Sequence, residues 1–310
     1  MNTIIIDPYY TLIIATLVLL VGRLLVGKIK ILQNFNIPEP VAGGLLAAVI
    51  IFLLYLKYEI SLEFSTNLQE AFMLFFFSSI GLSADFSRLK AGGKGLIFFL
   101  GVVALFIVVQ NSVGVGLASA LGQNPIMGLI TGSITLTGGH GTAGAWGKIL
   151  ETDYGIKGAT SLGMASATFG LVLGGLIGGP VARRLVNNMG RKPITDKTTD
   201  NVVDTVVEVF ENAGKQRLIT SKSAIETMAL FAACLSFSAI MVSPTVTAYL
   251  PEKFTIPQFV WALFFGVLLR NVLTNAFKVN MFDRAIDVFG NASLSLFLGI
   301  ALLNLKLWTL

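Results

Sequence analysis

The sequence predicts an all-α integral membrane protein, on three observations. Hydrophobic residues make up 54% of the chain and charged residues 13%, with a mean hydropathy of +0.79. Apolar segments recur along the whole chain at the ~20 residues that ~30 Å of hydrocarbon requires. The basic residues divide between alternate connections, as membrane topology demands. The net charge of +5 therefore reports topology, and no nucleic-acid partner is expected.

Taken in order, spans are expected at 9–27, 39–56, 68–84, 95–120 and 158–186, then at 224–243, 257–275 and 287–305. Asp7 stands where a cleaved leader would carry Lys or Arg, so the first segment reads as a retained span. Pro38 and Pro40 open the second span, where a missing N–H costs least. The lone cysteine, Cys234, excludes an intramolecular disulfide and offers no metal-ligand cluster.

The segment 125–150 is expected to be a re-entrant hairpin. Thr135–Gly147 holds five glycines, three threonines and the only histidine, inside a run from Gly95 to Gly147 without Asp, Glu, Lys or Arg. Each glycine costs a helix interior about 1 kcal/mol against alanine. Irregular backbone at membrane depth is tolerated where protein buries it or a watery cavity receives its polar groups. Broken helices of this kind hold substrate and ion in secondary transporters. Close helix packing through glycine is the alternative, but it leaves the threonines and histidine unexplained.

Reading 125–150 as a hairpin also gives a consistent orientation. With the N-terminus outside, seventeen basic residues fall in the cytoplasm: Arg23, Lys28, Lys30, Arg88, Lys90, Lys94, Arg183, Arg184, Arg191, Lys192, Lys197, Lys215, Arg217, Lys222, Arg270, Lys278 and Arg284. Five fall outside: Lys57, Lys148, Lys157, Lys253 and Lys306. A full crossing at 125–150 would invert everything after it.

Three parts are expected: a first transmembrane repeat at 1–186, a cytoplasmic connector at 187–222 and a partial second repeat at 223–310. In the connector, Val202, Val203, Val206, Val207 and Phe210 share one helical face, which suits a surface strap or a regulatory helix. Phe35-Asn-Ile-Pro and Phe254-Thr-Ile-Pro each precede a glycine-containing span, 219 residues apart. An odd number of crossings lies between them, so the copies face opposite sides. This is the inverted-repeat plan of secondary transporters. By that symmetry the second half stops short of its own glycine hairpin, and a truncated product is expected.

Other motifs divide between binding and packing. Ser166, Gly170, Gly174 and Gly178 form a ladder that favours close helix contact. Gln110, Asn111 and Ser112 interrupt an apolar span and must face the bundle, touching substrate or another helix. His140 can couple protons or simply hydrogen-bond. No charge lies mid-span, which favours sodium, needing only carbonyls and hydroxyls, over proton coupling. No carboxylate pair, Ser/His/Asp set or metal spacing supports an enzyme. The candidate binding residues are Thr135, Thr137, Gly138, Gly139, His140, Gly141 and Thr142 with Asn111 and Ser112. Sodium is placed at the same hairpin, with non-helical backbone over Gly138–Thr142. The glycine amides and threonine hydroxyls are expected to donate to anionic groups.

Phe35-Asn-Ile-Pro-Glu-Pro-Val-Ala-Gly-Gly44, Thr137-Gly-Gly-His-Gly-Thr-Ala143 and Phe254-Thr-Ile-Pro-Gln-Phe-Val-Trp-Ala262 with Leu269-Arg-Asn271 resemble the bacterial sodium/glutamate symporter family. The resemblance implies two inverted five-span halves, a re-entrant glycine loop in each, and sodium-driven uptake of L-glutamate. It further implies that Gly138–Thr142 is the first of those loops. No cofactor is expected beyond Na+ as coupling ion. The expected setting is the bacterial plasma (inner) membrane, with the lipid bilayer as partner and a homodimer as assembly. A carrier of another dicarboxylate and a non-transporting membrane subunit are the alternatives.

Overall fold

A computed structural model describes residues 2–34, 37–91, 93–188, 219–249, 256–279 and 281–309. The expected connector helix at 202–210 lies outside these residues.

Helix α1 (Pro8–Lys28) starts where the Asp7 carboxylate accepts from the Tyr9 amide, with Pro8 in the first turn and Lys28 in the last. A short helix α2 (Lys30–Asn34) turns the chain into α3 (Glu39–Tyr58), which Pro38 and Pro40 open. Their 21 and 20 residues reach about 30 Å, one hydrocarbon thickness. Strand β1 (Asn2–Ile5) pairs in parallel with β2 (Ile60–Glu63), a small addition to the expected all-helical fold. A parallel ladder requires the chain to return to the side it left, so α1 and α3 form a complete out-and-back pair.

Helix α4 (Thr66–Ser83) begins two residues before the expected span because Ser65 caps it through the Leu68 amide. Short α5 (Phe86–Ala91) leads to α6 (Gly93–Ala120), α7 (Pro125–Leu129), α8 (Gly139–Thr152) and α9 (Ala159–Asn188). The second half holds α10 (Ser221–Met241), short α11 (Pro244–Thr247), α12 (Gln258–Asn271) and α13 (Asp283–Leu303). A Thr220/Ser223 capping box starts α10. Counting α12 together with the π-turn Val272–Ala276 that continues it, six of the described helices are long and apolar enough to cross a membrane: the chain is a multi-pass membrane protein.

Helices α4 and α13 form the centre, around buried Met73, Phe77, Phe297 and Leu302. Their residue pairs run in opposite order: Ser83 meets Asp287, Ser79 meets Gly290, and Gln69 meets Asn304. By contrast α4 and α12 run together, Phe77 against Phe259, Gly81 against Gly266 and Ala84 against Asn271. A Cβ at Gly81 would lie 2.1 Å from the Leu263 carbonyl oxygen, so this crossing exists only with glycine there. Helix α3 runs alongside α13 in the same way, Gly44 against Leu302 and Tyr55 stacked on Trp308. Thus α1 packs on α3 as α10 packs on α12.

The connections gather at two ends. At the first end, Lys306 pairs with Glu63 at 3.0 Å and Lys148 with Glu70 at 3.1 Å. At the second, buried Arg270 pairs with Asp85 and Asp283, and the Asn271 side chain accepts from the Phe86 amide at 2.8 Å. Asp85 is held below the usual carboxylate range, first by the Ser87 hydroxyl and amide and then by Arg270. The sparse lysines 57, 148, 157 and 306 lie at the first end. Lys28, Lys30, Lys90, Arg270, Lys278 and Arg284 lie at the second.

Candidate functional site: a re-entrant hairpin

Asn124 caps α7 by accepting from the Ile126 amide, and Pro125 follows. From there the chain doubles back along α6. A Cβ at Gly128 would lie 2.3 Å from the Gly114 carbonyl, so the two backbones touch. Further on, Asn111 Oδ1 accepts from the Ser133 amide at 3.1 Å, and Thr137 Oγ1 donates to Gln110 Oε1 at 2.9 Å. The hairpin tip is therefore level with Gln110, ten residues before the end of α6. That is about 15 Å in, half of the hydrocarbon thickness.

The first arm loosens before it turns. Residues Ile130–Ile134 form a π-helix, and Gly132 leaves helical geometry at φ −93°, ψ −126°. Single π turns of this kind recur at functional sites. The Ser133 and Thr137 carbonyl–amide path then closes tightly, the Thr137 and Gly138 amides both donating to the Ser133 carbonyl. Gly139 has φ +76° and starts α8. The break therefore spans Gly132 and Thr137–Gly139. His140, Gly141 and Thr142, expected to be non-helical, instead form the first turn of α8, because the left-handed Gly139 completes the reversal by itself.

No side chain caps α8, so its first-turn amides at Gly139, His140 and Gly141 have no intrahelical acceptor. The hydroxyls are differently disposed. Thr135 Oγ1 donates to the Ile130 carbonyl at 2.7 Å, and Thr142 Oγ1 to the Ile134 carbonyl at 2.6 Å. With their hydrogens committed to carbonyls, Thr135, Thr137 and Thr142 offer lone pairs. This corrects the expectation that they donate to an anion: the amides are donors and the hydroxyl oxygens acceptors. His140 is buried with Nε2 3.0 Å from Thr168 Oγ1. The Thr168 hydrogen goes to the Met164 carbonyl at 2.9 Å, so Nε2 is the donor of that pair.

Ser112 is not brought to the hairpin. It is exposed and donates to the Val108 carbonyl of its own helix at 2.8 Å, being rotated about 100° along α6 from Asn111. Sequence reasoning placed Gln110 in the bundle without joining it to the tip, and passed over Thr168. Gln110 was visible as a polar interruption of an apolar span. Thr168 gave no signal, since its contact with His140 comes only from folding α9 back along α8.

On its other side the hairpin leans on the central pair. A Cβ at Gly141 would come 2.9 Å from Phe76 Cε1 and 3.7 Å from Leu294 Cδ1, and one at Gly144 would come 2.7 Å from Phe297. Lys148–Glu70 is the only described ion pair across this contact.

A helix interrupted at mid-membrane, with uncapped amides beside oxygen lone pairs, defines a secondary carrier in chemical class. The family described as sodium/glutamate symporter matches residues 4–310. The sodium/glutamate symporters of Haemophilus influenzae and Escherichia coli are each 47% identical to this chain, over 306 and 307 residues. Both alignments cover 98% of this chain and 74% of the relative. The chain belongs to the sodium/glutamate symporter family. No solved structure matches it.

Proposed function

We propose that this chain carries L-glutamate across the bacterial plasma (inner) membrane by symport with sodium, and that the hairpin tip is the binding site. The carrying observation is the uncapped start of α8 at mid-membrane. The free amides and positive dipole end there suit a carboxylate. Gly139 leaves its amide unshielded, and Gly138, His140 and Gly141 complete the turn. The threonine oxygens at 135, 137 and 142 suit sodium, while Asn111 holds the loosened arm through Ser133. Membership of the family supports glutamate and sodium as the transported pair.

The antiparallel α4 and α13, each flanked by equivalent helices, support two oppositely directed repeats within 1–186 and 223–310, joined by a cytoplasmic connector. Grouping of the basic residues at one end supports a cytoplasmic second end and an external N-terminus. A homodimer is the proposed assembly, tested by native mass spectrometry from detergent.

The test is uptake of radiolabelled L-glutamate by this chain in proteoliposomes. Uptake driven by an inward sodium gradient, and abolished when choline replaces sodium, is expected. Uptake indifferent to sodium contradicts the proposal, and no uptake of any dicarboxylate leaves a non-transporting membrane subunit.

A further inference from the structure

At the first end a pocket of about 420 Å3 lies between the hairpin and the central helices. Gln69 of α4 and Asn304 beyond α13 stand on one wall. Lys148 and Glu151 of α8, with Lys157 and Ser161 around the start of α9, stand on the other. Lys148 is nine residues along α8 from the Gly139 turn, about 14 Å, so this pocket is separate from the hairpin tip.

Its acceptors are spent on the protein and its donors are not. The Phe64 amide donates to Asn304 Oδ1 at 2.9 Å, which fixes the orientation of that carboxamide. Asn304 Nδ2 then donates to Gln69 Oε1 at 3.3 Å. The Gln69 oxygen is thereby taken, and its NH2 group is left without an acceptor among the described residues. Glu151 accepts from the Thr160 amide and the Thr160 hydroxyl, both at 3.0 Å. Ser161 has no hydrogen-bond partner among the described residues. Gln69 is 7% exposed and Ser161 6%, and buried donors are ordinarily satisfied. Two of them on one cavity wall call for an acceptor that the protein does not supply. Charge points the same way. Lys148 pairs with Glu70 and Lys306 with Glu63, but Lys157 enters no ion pair among the described residues. An ammonium, a carboxamide NH2 and a hydroxyl are donors that a carboxylate accepts from. Apolar Ala301 and Leu305 also line the pocket, a surface for a short methylene chain.

We infer that this pocket is a second binding site, for a small carboxylate anion, held by Lys157, Gln69 Nε2 and Ser161 Oγ without sodium. Naming the acidic amino acid of the proposed symport as its occupant rests on that reading; the anion site itself does not. Thr66→Cys places a reporter on an exposed residue of the pocket wall, since the native Cys234 is fully buried. The full chain in detergent, in choline without sodium, is labelled with anionic and cationic methanethiosulfonates. The anionic reagent should react several-fold faster, relative to free thiols. Millimolar L-glutamate or glutarate should slow it several-fold, and L-glutamine should not. In this background Gln69→Glu keeps the acceptor for Asn304 and removes the donor. It should raise the half-protecting concentration about tenfold or more, as loss of a hydrogen bond to a charged group does. The exposed Lys157→Gln should raise it about fivefold, the weight of one solvated charge pair, and Lys157→Arg should restore it. No charge preference, no protection by either dicarboxylate, or undiminished protection in both Gln69→Glu and Lys157→Gln overturns the site. Protection by inorganic phosphate but not by L-glutamate or glutarate makes it a lipid-headgroup site and equally overturns it. Protection as expected without sodium-driven glutamate uptake retains the pocket and removes the symport reading. Uptake without such protection does the reverse.

Discussion

Asn111 Oδ1 accepts the Ser133 amide at 3.1 Å, a bond made possible because Gly132 departs from helical geometry and frees that amide. A side chain of α6 thus does for the re-entrant arm what the preceding turn of helix does elsewhere. Asn111→Ala should leave the amide unsatisfied at mid-membrane, at a cost of about 1–3 kcal/mol. The expected outcome is a lower unfolding temperature and loss of uptake together. Unchanged stability in thermal melts contradicts this role.

Gly139 sets the reversal through its backbone. A Cβ there meets open space, but φ is +76°. Gly139→Ala should therefore cost about 1–2 kcal/mol of backbone strain and misdirect the uncapped amides, lowering uptake strongly while the protein still reaches the membrane. Gly139→Asn should be milder, because asparagine enters the left-handed region more readily. Equal loss in both variants would show that the side chain itself obstructs the site.

His140→Gln should retain most uptake, since glutamine can still donate toward Thr168, whereas His140→Ala should raise the glutamate concentration for half-maximal uptake. Complete loss in His140→Gln, with sodium dependence replaced by dependence on a proton gradient, would restore proton coupling.

The Asp85 carboxylate, held below its ordinary range by Ser87 and then Arg270, should stabilise the second end whenever it is ionised. Because its folded value is the lower one, that contribution is complete above the unfolded carboxylate value of about 4 and is lost as pH falls through the folded value. Asp85→Asn should therefore melt below wild type at pH 7 and pH 5 alike. The difference should shrink only in more acidic buffer. A gap already closing between pH 7 and pH 5 contradicts this.

Much of the frame was legible because lipid imposes strong rules. Pro38 and Pro40 marked the start of α3, and the basic residues separated the two ends before any contact was known. Glycine density located the hairpin, but it could not place the break, since several glycines in the stretch could have turned left-handed and the fold uses Gly139. The direction of each threonine hydrogen is likewise set by local carbonyls, so composition suggested anion donors where the fold supplies lone pairs. Ser112 shares its polar run with Asn111 but not its helical face.

The central claim is that the hairpin divides its labour, amides for the carboxylate and threonine oxygens for sodium. Sodium titration of L-glutamate uptake by Thr142→Val and Thr142→Ser tests it most directly. Thr142→Val should raise the sodium concentration for half-maximal uptake at least fivefold and leave glutamate half-saturation at saturating sodium within about twofold, shifts of about 1 and 0.4 kcal/mol, while Thr142→Ser stays near wild type. An unchanged sodium requirement in Thr142→Val, or a loss of glutamate affinity that saturating sodium does not restore, would contradict it.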